Sequence, residues 1–283
     1  MKTYRRGSSK ISENQSCMKT VPKKAKSKSK KQKKKREMAN VVQELYQTCS
    51  EVFADGDHQI SGYIPPTPDI ERLKSVLDRM KPEDLNLSPN MPMFRRRSTA
   101  QEASHHQITY IELLECDQFS IGIFCLPPSA VIPLHNHPNM TVFSKLLFGA
   151  LRIKSYDWVD DGTSSTSKIN SGEITHRQDG IRLAKVHMDS DVTSPYNASV
   201  LFPAAGGNMH CFTALTACAI LDVLGPPYSE SEGRHCTYFQ DFPYDKFSGG
   251  AEELVPTEEE DTKKYAWLQE IEKPEDYTVG EPS

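Results

Sequence analysis

From Ile108 onward the chain alternates short apolar runs with turn-rich breaks, and this pattern predicts strands. Ile108–Glu115, Phe119–Leu126, Ala130–His137, Thr141–Phe148 and Leu151–Trp158 follow one another, with Gly or Pro between several of them. Ile181–Met188, Ser199–Phe202, Met209–Phe212, Ala217–Leu224 and Cys236–Phe242 bring the set to about ten. Between the two groups, Asp160 to Gly180 is polar and turn-rich and reads as a loop or a long hairpin end. Many short strands with little helix argue for a mainly β sandwich or barrel.

Two helical patterns precede the strands. Met38, Val41, Val42, Leu45, Cys49 and Val52 recur at helical spacing and stop before Asp55-Gly56-Asp57. Pro65-Pro66-Thr67-Pro68 then breaks the chain. Thr67 as N-cap and Pro68 at the first helical position predict a second helix, with Ile70, Leu73, Leu77 and Met80 on one face. Both helices are expected to pack on the outside of the sheet. After Ala251 the sequence turns acidic and a loose end is expected beyond Pro274, with Trp267 and Leu268 tethering part of the segment by packing.

Composition bounds the picture. At 283 residues and 37% hydrophobic the chain can bury one substantial core with tails, although length alone allows two domains. No apolar run approaches ~20 residues, and no hydrophobic segment follows the basic N-terminus, so neither a membrane span nor secretion is expected. Seven cysteines, at 17, 49, 116, 125, 211, 218 and 236, show neither a disulfide framework nor Cys-x-x-Cys zinc spacing. A reducing compartment fits them, with Cys125, Cys211 and Cys218 as small buried hydrophobes.

The net charge of −4 conceals an asymmetry. Residues 1–37 hold 15 Lys/Arg against two Glu, net +13, and the remainder holds 19 against 36, net −17. A segment so polar cannot offset its chain entropy by burial and is expected to be disordered. The division is therefore 1–37, a basic tail with the character of a nuclear localisation signal, and 38–283, the folded domain with its helices and acidic C-terminal extension. Nucleus and cytoplasm are the expected locations. Direct nucleic-acid binding is less well supported, because no aromatics interleave the lysines and the folded part is acidic.

The chemistry concentrates at His135-Asn136-His137. The predicted strand Ala130–His137 runs through both histidines, so side chains two apart project from one face. A third, His210, follows Pro203-Ala204-Ala205-Gly206-Gly207-Asn208-Met209, where glycines let backbone approach a site closely. Three imidazoles leave about half of an octahedral shell open for substrate and dioxygen, the situation a redox iron requires. On spacing alone, metal-free histidines satisfying local hydrogen bonds remain an equal alternative.

The register around the pair resembles the first cupin motif: His137, four residues, Val142, six residues, Gly149. Val142 stands where most metal-binding cupins carry a carboxylate ligand. Pro203 through His210 looks like the second motif. A three-His site without carboxylate keeps more positive charge on the metal and favours an anionic ligand such as a thiolate, which within cupins resembles the thiol dioxygenases.

Longer stretches narrow the family. Ile153-Lys154-Ser155-Tyr156-Asp157-Trp158, Asp222-Val223-Leu224-Gly225-Pro226-Pro227-Tyr228, Gly233-Arg234-His235-Cys236-Thr237-Tyr238-Phe239 and Asp241-Phe242-Pro243-Tyr244 are similar to signatures of the plant cysteine oxidases, relatives of the animal cysteamine dioxygenases. The resemblance implies a cupin double-stranded β-helix, a jelly-roll barrel, and ferrous iron, Fe(2+), held by His135, His137 and His210. It also implies an enzyme that adds both atoms of dioxygen to an N-terminal cysteine of a protein substrate. Asp222 is then the candidate to hold the substrate amine or a metal-near group, Tyr228 to hydrogen-bond oxygen or place the thiolate, and Cys236 a possible outer neighbour. In that family the product feeds N-degron destruction of transcription factors, which makes the enzyme an oxygen sensor in the hypoxia response. A monomer is expected. A dioxygenase of free cysteine or cysteamine and a catalytically silent cupin that binds a partner are the alternatives.

Overall fold

The computed structural model describes residues 41–54, 62–95, 108–159, 180–247 and 263–282. The basic segment 1–37, the Asp55–Asp57 turn, most of the 160–180 loop and the acidic run from 251 to 262 lie outside the described residues. Helix α1 covers residues 41–52 and helix α2 covers Thr67–Arg79. The first strands are β1 (Ile108–Glu115), β2 (Ser120–Leu126), β3 (Val131–His135), β4 (Thr141–Phe148) and β5 (Ala150–Trp158). Then come β6 (Ile181–Thr193), β7 (Ser199–Leu201), β8 (Met209–Ala214) and β9 (Cys218–Gly225). The last are β10 (Tyr238–Pro243), β11 (Tyr265–Ile271) and β12 (Val279–Gly280).

The strands form a six-stranded sheet in the order β12-β1-β2-β9-β4-β7 and a closed barrel in the order β10-β11-β6-β5-β8-β3. This is a mainly β architecture in which a six-stranded sheet faces a closed barrel, the form expected of a double-stranded β-helix. Ile108, Leu126, Ile132, Leu146, Leu151, Val192, Phe212 and Ile220 come from both assemblies and fill the space between them. A separate cluster of Leu134, Tyr156, Ala184, Met209, Phe239, Ala266 and Leu268 draws on all six strands of the closed barrel.

The helices pack where expected. Ile70, Leu73, Val76 and Leu77 of α2 and Leu45, Cys49 and Val52 of α1 meet Ile121, Ile123, Phe143, Leu221 and Val223 on the outer face of the six-stranded sheet. Burial of each large aliphatic side chain contributes roughly 1.5–3 kcal/mol. β9 is therefore covered on both sides and buried along its whole length. No described helix is long and apolar enough to cross a membrane.

Four expectations need correction. Thr67 is the first residue of α2 and makes no side-chain cap; Pro66 takes the N-cap position with extended backbone, leaving Pro68 within the first turn. β3 stops at His135, two residues short of His137. β6 runs five residues past Met188, because residues 189–193 continue the ladder opposite β5, with Asp189 and Asp191 pairing with Arg152. The C-terminal segment beyond Pro274 is not loose: Val279 and Gly280 pair in parallel with Ile108 and Thr109, shielding that stretch of the β1 edge.

Trp267 and Leu268, each 1% exposed, do more than tether. They belong to β11, which is inserted between β10 and β6 and closes the barrel. Six cysteines are described and all are free, with Cys49, Cys125 and Cys218 buried and Cys211 partly so.

Candidate metal centre

His135 and His210 are direct cross-strand partners on β3 and β8, so the ladder itself places their imidazoles side by side. His137 arrives differently. It lies in the turn after β3, where its N–H donates to Asn208 Oδ1 (3.1 Å) and its carbonyl accepts from Asn208 Nδ2 (2.8 Å). The strand alternation argued from sequence is therefore not what aligns the pair. The convergence nevertheless holds: the three rings are 4.8–5.0 Å apart centre to centre, and one nitrogen from each lies within 4.8 Å of the others.

Hydrogen bonding fixes the tautomers. His135 Nδ1 lies 2.8 Å from the Pro133 carbonyl, which can only accept, so Nδ1 carries the proton and Nε2 its lone pair. Tyr228 donates its hydroxyl to the Asn136 carbonyl (2.7 Å) and sits 2.9 Å from His137 Nδ1, from which its oxygen accepts. His137 Nε2 is then a buried lone pair without a hydrogen-bond partner. Such an orphan is costly unless something binds it. Burial lowers the pKa of all three histidines, and for His137 and His210 the neighbouring rings add to it. Three neutral imidazoles with their mutually close nitrogens are the donor set of a metal site.

On the flank that carries Val142 the surroundings are apolar. Val142, 1% exposed, packs with Met140, Leu201 and Leu224, and the Tyr228 ring lies against that cluster. Asp222 sits on β9 between Gly122 of β2 and Ser144 of β4. Its neighbours Leu221 and Val223 face the helices while Ile220 and Leu224 face inward, so Asp222 points into the inter-sheet space that also holds His210. Burial pushes its carboxyl up to about 7, against a hydrogen bond from Ser144, and Oδ1 has no partner. Cys236 lies against the Tyr238 and Tyr228 side chains, one layer outside His137, and burial raises its pKa. Arg234, donating to the Pro227 carbonyl at 2.9 Å and paired with Glu232, braces the segment that carries Tyr228.

The structure thus brings His135, His137 and His210 together, with Tyr228 on one of them, Asp222 in the same interior and Cys236 behind Tyr228. Sequence reasoning passed over Asn208, Asn136 and Ser144. For Asn208 a signal existed, an amide directly after two glycines and two residues before a ligand candidate. A cavity of about 90 Å³ adjoins His210 and is lined in part by Ser144, Ser155, His187, Tyr196 and Gly207.

Comparison with known proteins places this geometry. The PCO_ADO family model matches residues 76–283. The chain belongs to the PCO_ADO family. It is 56% identical to plant cysteine oxidase 1 of Arabidopsis thaliana over 84% of this chain and 76% of the relative. Plant cysteine oxidase 2 of the same plant is 54% identical over 84% of this chain and 79% of the relative. More distant is a 2-aminoethanethiol dioxygenase of Mus musculus, 27% identical over 87% of this chain and 95% of the relative. The family model covers β1 to β12, so every residue of the candidate centre lies within the matched region.

Proposed function

We propose that this chain is an iron-dependent dioxygenase of N-terminal cysteine in protein substrates and that it serves as an oxygen sensor through the N-degron pathway. At the coarser level it is an oxidoreductase of the thiol dioxygenase class, as its family membership establishes. The observation that carries the finer reading is the set of three neutral imidazoles with an orphaned His137 Nε2 and no carboxylate among them. Ferrous iron held by His135, His137 and His210 would supply the redox chemistry by which dioxygen reacts with a thiolate. The balanced change is R–S⁻ plus O₂ giving R–SO₂⁻, a sulfinate that thiols do not reverse.

The chain's own groups have separable tasks in this reading. His135 and His137 are oriented by the Pro133 carbonyl and the Tyr228 hydroxyl, so that each presents Nε2 inward. Asp222, with a carboxyl poised at about 7, accepts or holds a proton beside the substrate amine. Val142 and its apolar neighbours exclude water from the flank of the site. Because the ligands must be neutral, acidification weakens metal binding, and the lowered histidine pKa values move that loss to lower pH.

The substrates in this reading are transcription factors exposing an N-terminal cysteine, met by a monomer without direct nucleic-acid contact. The +13 segment at residues 1–37 addresses part of the protein to the nucleus. A chain starting at Met38 should keep its turnover and lose nuclear enrichment; undiminished enrichment refutes the address.

The deciding experiment compares a peptide with free N-terminal cysteine against the same peptide acetylated at its amine, with cysteamine as a third substrate. The free peptide should gain two oxygen atoms and the acetylated one should react poorly. Equal oxidation of both peptides means the amine is not read. Faster oxidation of cysteamine assigns the chain to small thiols.

A further inference from the structure

The β3–β8 ladder ends one step too early for His137. With His135 opposite His210, antiparallel register would next set residue 137 opposite residue 208. The backbone at 207–208 is unavailable for that pairing, because the N–H groups of Gly207 (2.9 and 3.0 Å) and Asn208 (3.1 Å) both turn to the Asp157 carboxylate. Gly207 adopts φ +79°, and a Cβ there would come 2.6 Å from Ser155 Oγ, so the turn is held tightly against β5.

Asn208 fills the missing position with its side chain. Oδ1 accepts the His137 N–H and Nδ2 donates to the His137 carbonyl, the same two bonds that a paired strand residue would make. The second Nδ2 hydrogen goes to the Phe202 carbonyl at 2.7 Å. These partners allow one orientation of the amide only, since an N–H must meet oxygen and a carbonyl must meet nitrogen. The residue is 7% exposed, so water does not substitute for it. Asp157, the 207–208 turn and the Asn208 amide make one continuous bracket from β5 to the main chain of His137, with His210 two residues beyond.

We propose that Asn208 is the positioning residue that sets His137 against His210 and thereby fixes the bite of the three-histidine site. The proposal rests on the metal reading above. No other residue type satisfies the geometry: Asp cannot donate to the two carbonyls, Ser and Ala do not span the gap, and Gln carries its amide one methylene too far.

The test uses the full chain, stripped of metal, with Co(II) as the probe. Affinity is read by competition with a chelator, and ligand geometry by the visible absorption of bound Co(II). The variants are Asn208→Ala and Asn208→Asp, the latter keeping one acceptor and a nearly unchanged volume. Leu73→Ala, a core truncation in α2 remote from the site, controls for general loss of stability.

The expected result is one Co(II) per wild-type chain, with affinity lowered about 10–100-fold and an altered spectrum in both Asn208 variants. Leu73→Ala should bind Co(II) like wild type. If Asn208→Ala does not fold, Asn208→Asp carries the test alone. Wild-type affinity and spectrum in a folded Asn208 variant overturn the proposal and leave the metal reading standing. Equal weakening in Leu73→Ala overturns it too, by reducing Asn208 to a contributor to stability. A wild-type chain that takes up no Co(II) overturns the metal reading and the proposal with it.

Discussion

Replacing Asp222 by Asn should make the metal-free protein more stable and less active, and the stability gain should depend on pH in a defined way. Asp222 is 6% exposed, one of its oxygens has no partner, and burial moves its carboxyl from 3.8 to about 7. Below pH about 4 the group is protonated in the folded and unfolded chain alike, and wild type and variant should differ little from this source. As pH rises from about 4 towards 7, the unfolded chain releases the proton while the folded chain retains it. Wild-type stability therefore falls through that window and levels off above it. Raising the carboxyl from 3.8 to about 7 corresponds to about 4 kcal/mol, by which Asp222→Asn should gain on wild type at pH 8.

Urea unfolding of both metal-free proteins at half-unit intervals between pH 4 and 8 measures the difference directly. Turnover with a Cys-initiated peptide should fall at least tenfold while metal content stays near normal, because Asp222 is not among the grouped ligand atoms. A stability difference that is flat across the window would mean that the carboxylate is solvated or paired, and the proton-holding role would go with it. An unstable group retained in the interior is the pattern expected where function opposes stability.

Three further outcomes follow from the same geometry. Tyr228→Phe removes the hydroxyl that links His137 Nδ1 to the Asn136 carbonyl, and metal affinity by chelator competition should drop about 10–100-fold; lost turnover with intact affinity would instead place that hydroxyl on the substrate. His210→Ala deletes one of three grouped nitrogens, so most bound metal and activity should vanish, and full metal content by elemental analysis contradicts the ligand set. Trp267→Ala should cost about 3–5 kcal/mol in urea unfolding, since the ring is 1% exposed and its Nε1 donates to the Tyr244 carbonyl at 3.0 Å; a loss under about 1 kcal/mol would mean β11 is not integral to the barrel.

The parts of this fold that sequence disclosed are those governed by local pattern. β1 and β4 begin and end where alternation and turn residues put them, and the inward face of α2 follows from its 3.6-residue period. The three histidines were legible because two stand one residue apart after an apolar run and the third follows a glycine turn. What failed depended on distant partners. His137 is aligned by an amide 71 residues away, and nothing near it in the chain encodes that bond. β11 follows an acidic run that masks it, and it becomes a strand because β10 and β6 leave a gap of one strand's width. The carboxyl of Asp222 is unusual because it is buried between the two sheets, with Ser144 opposing the rise, and no local pattern around residue 222 reveals that burial.

The position of β11 has a consequence for how the protein is made. Synthesis proceeds from the N-terminus, and all three histidines have emerged by residue 210. The barrel that supports two of them closes only through Tyr265–Ile271, which pairs with strands on either side. Until that segment leaves the ribosome, β10 and β6 each present an unpaired edge, the kind of surface that recruits other chains. A nascent chain therefore carries every ligand well before it has a rigid place to hold them. A chain ending before residue 265 would carry all three histidines in an open barrel, with the facing edges of β10 and β6 unpaired.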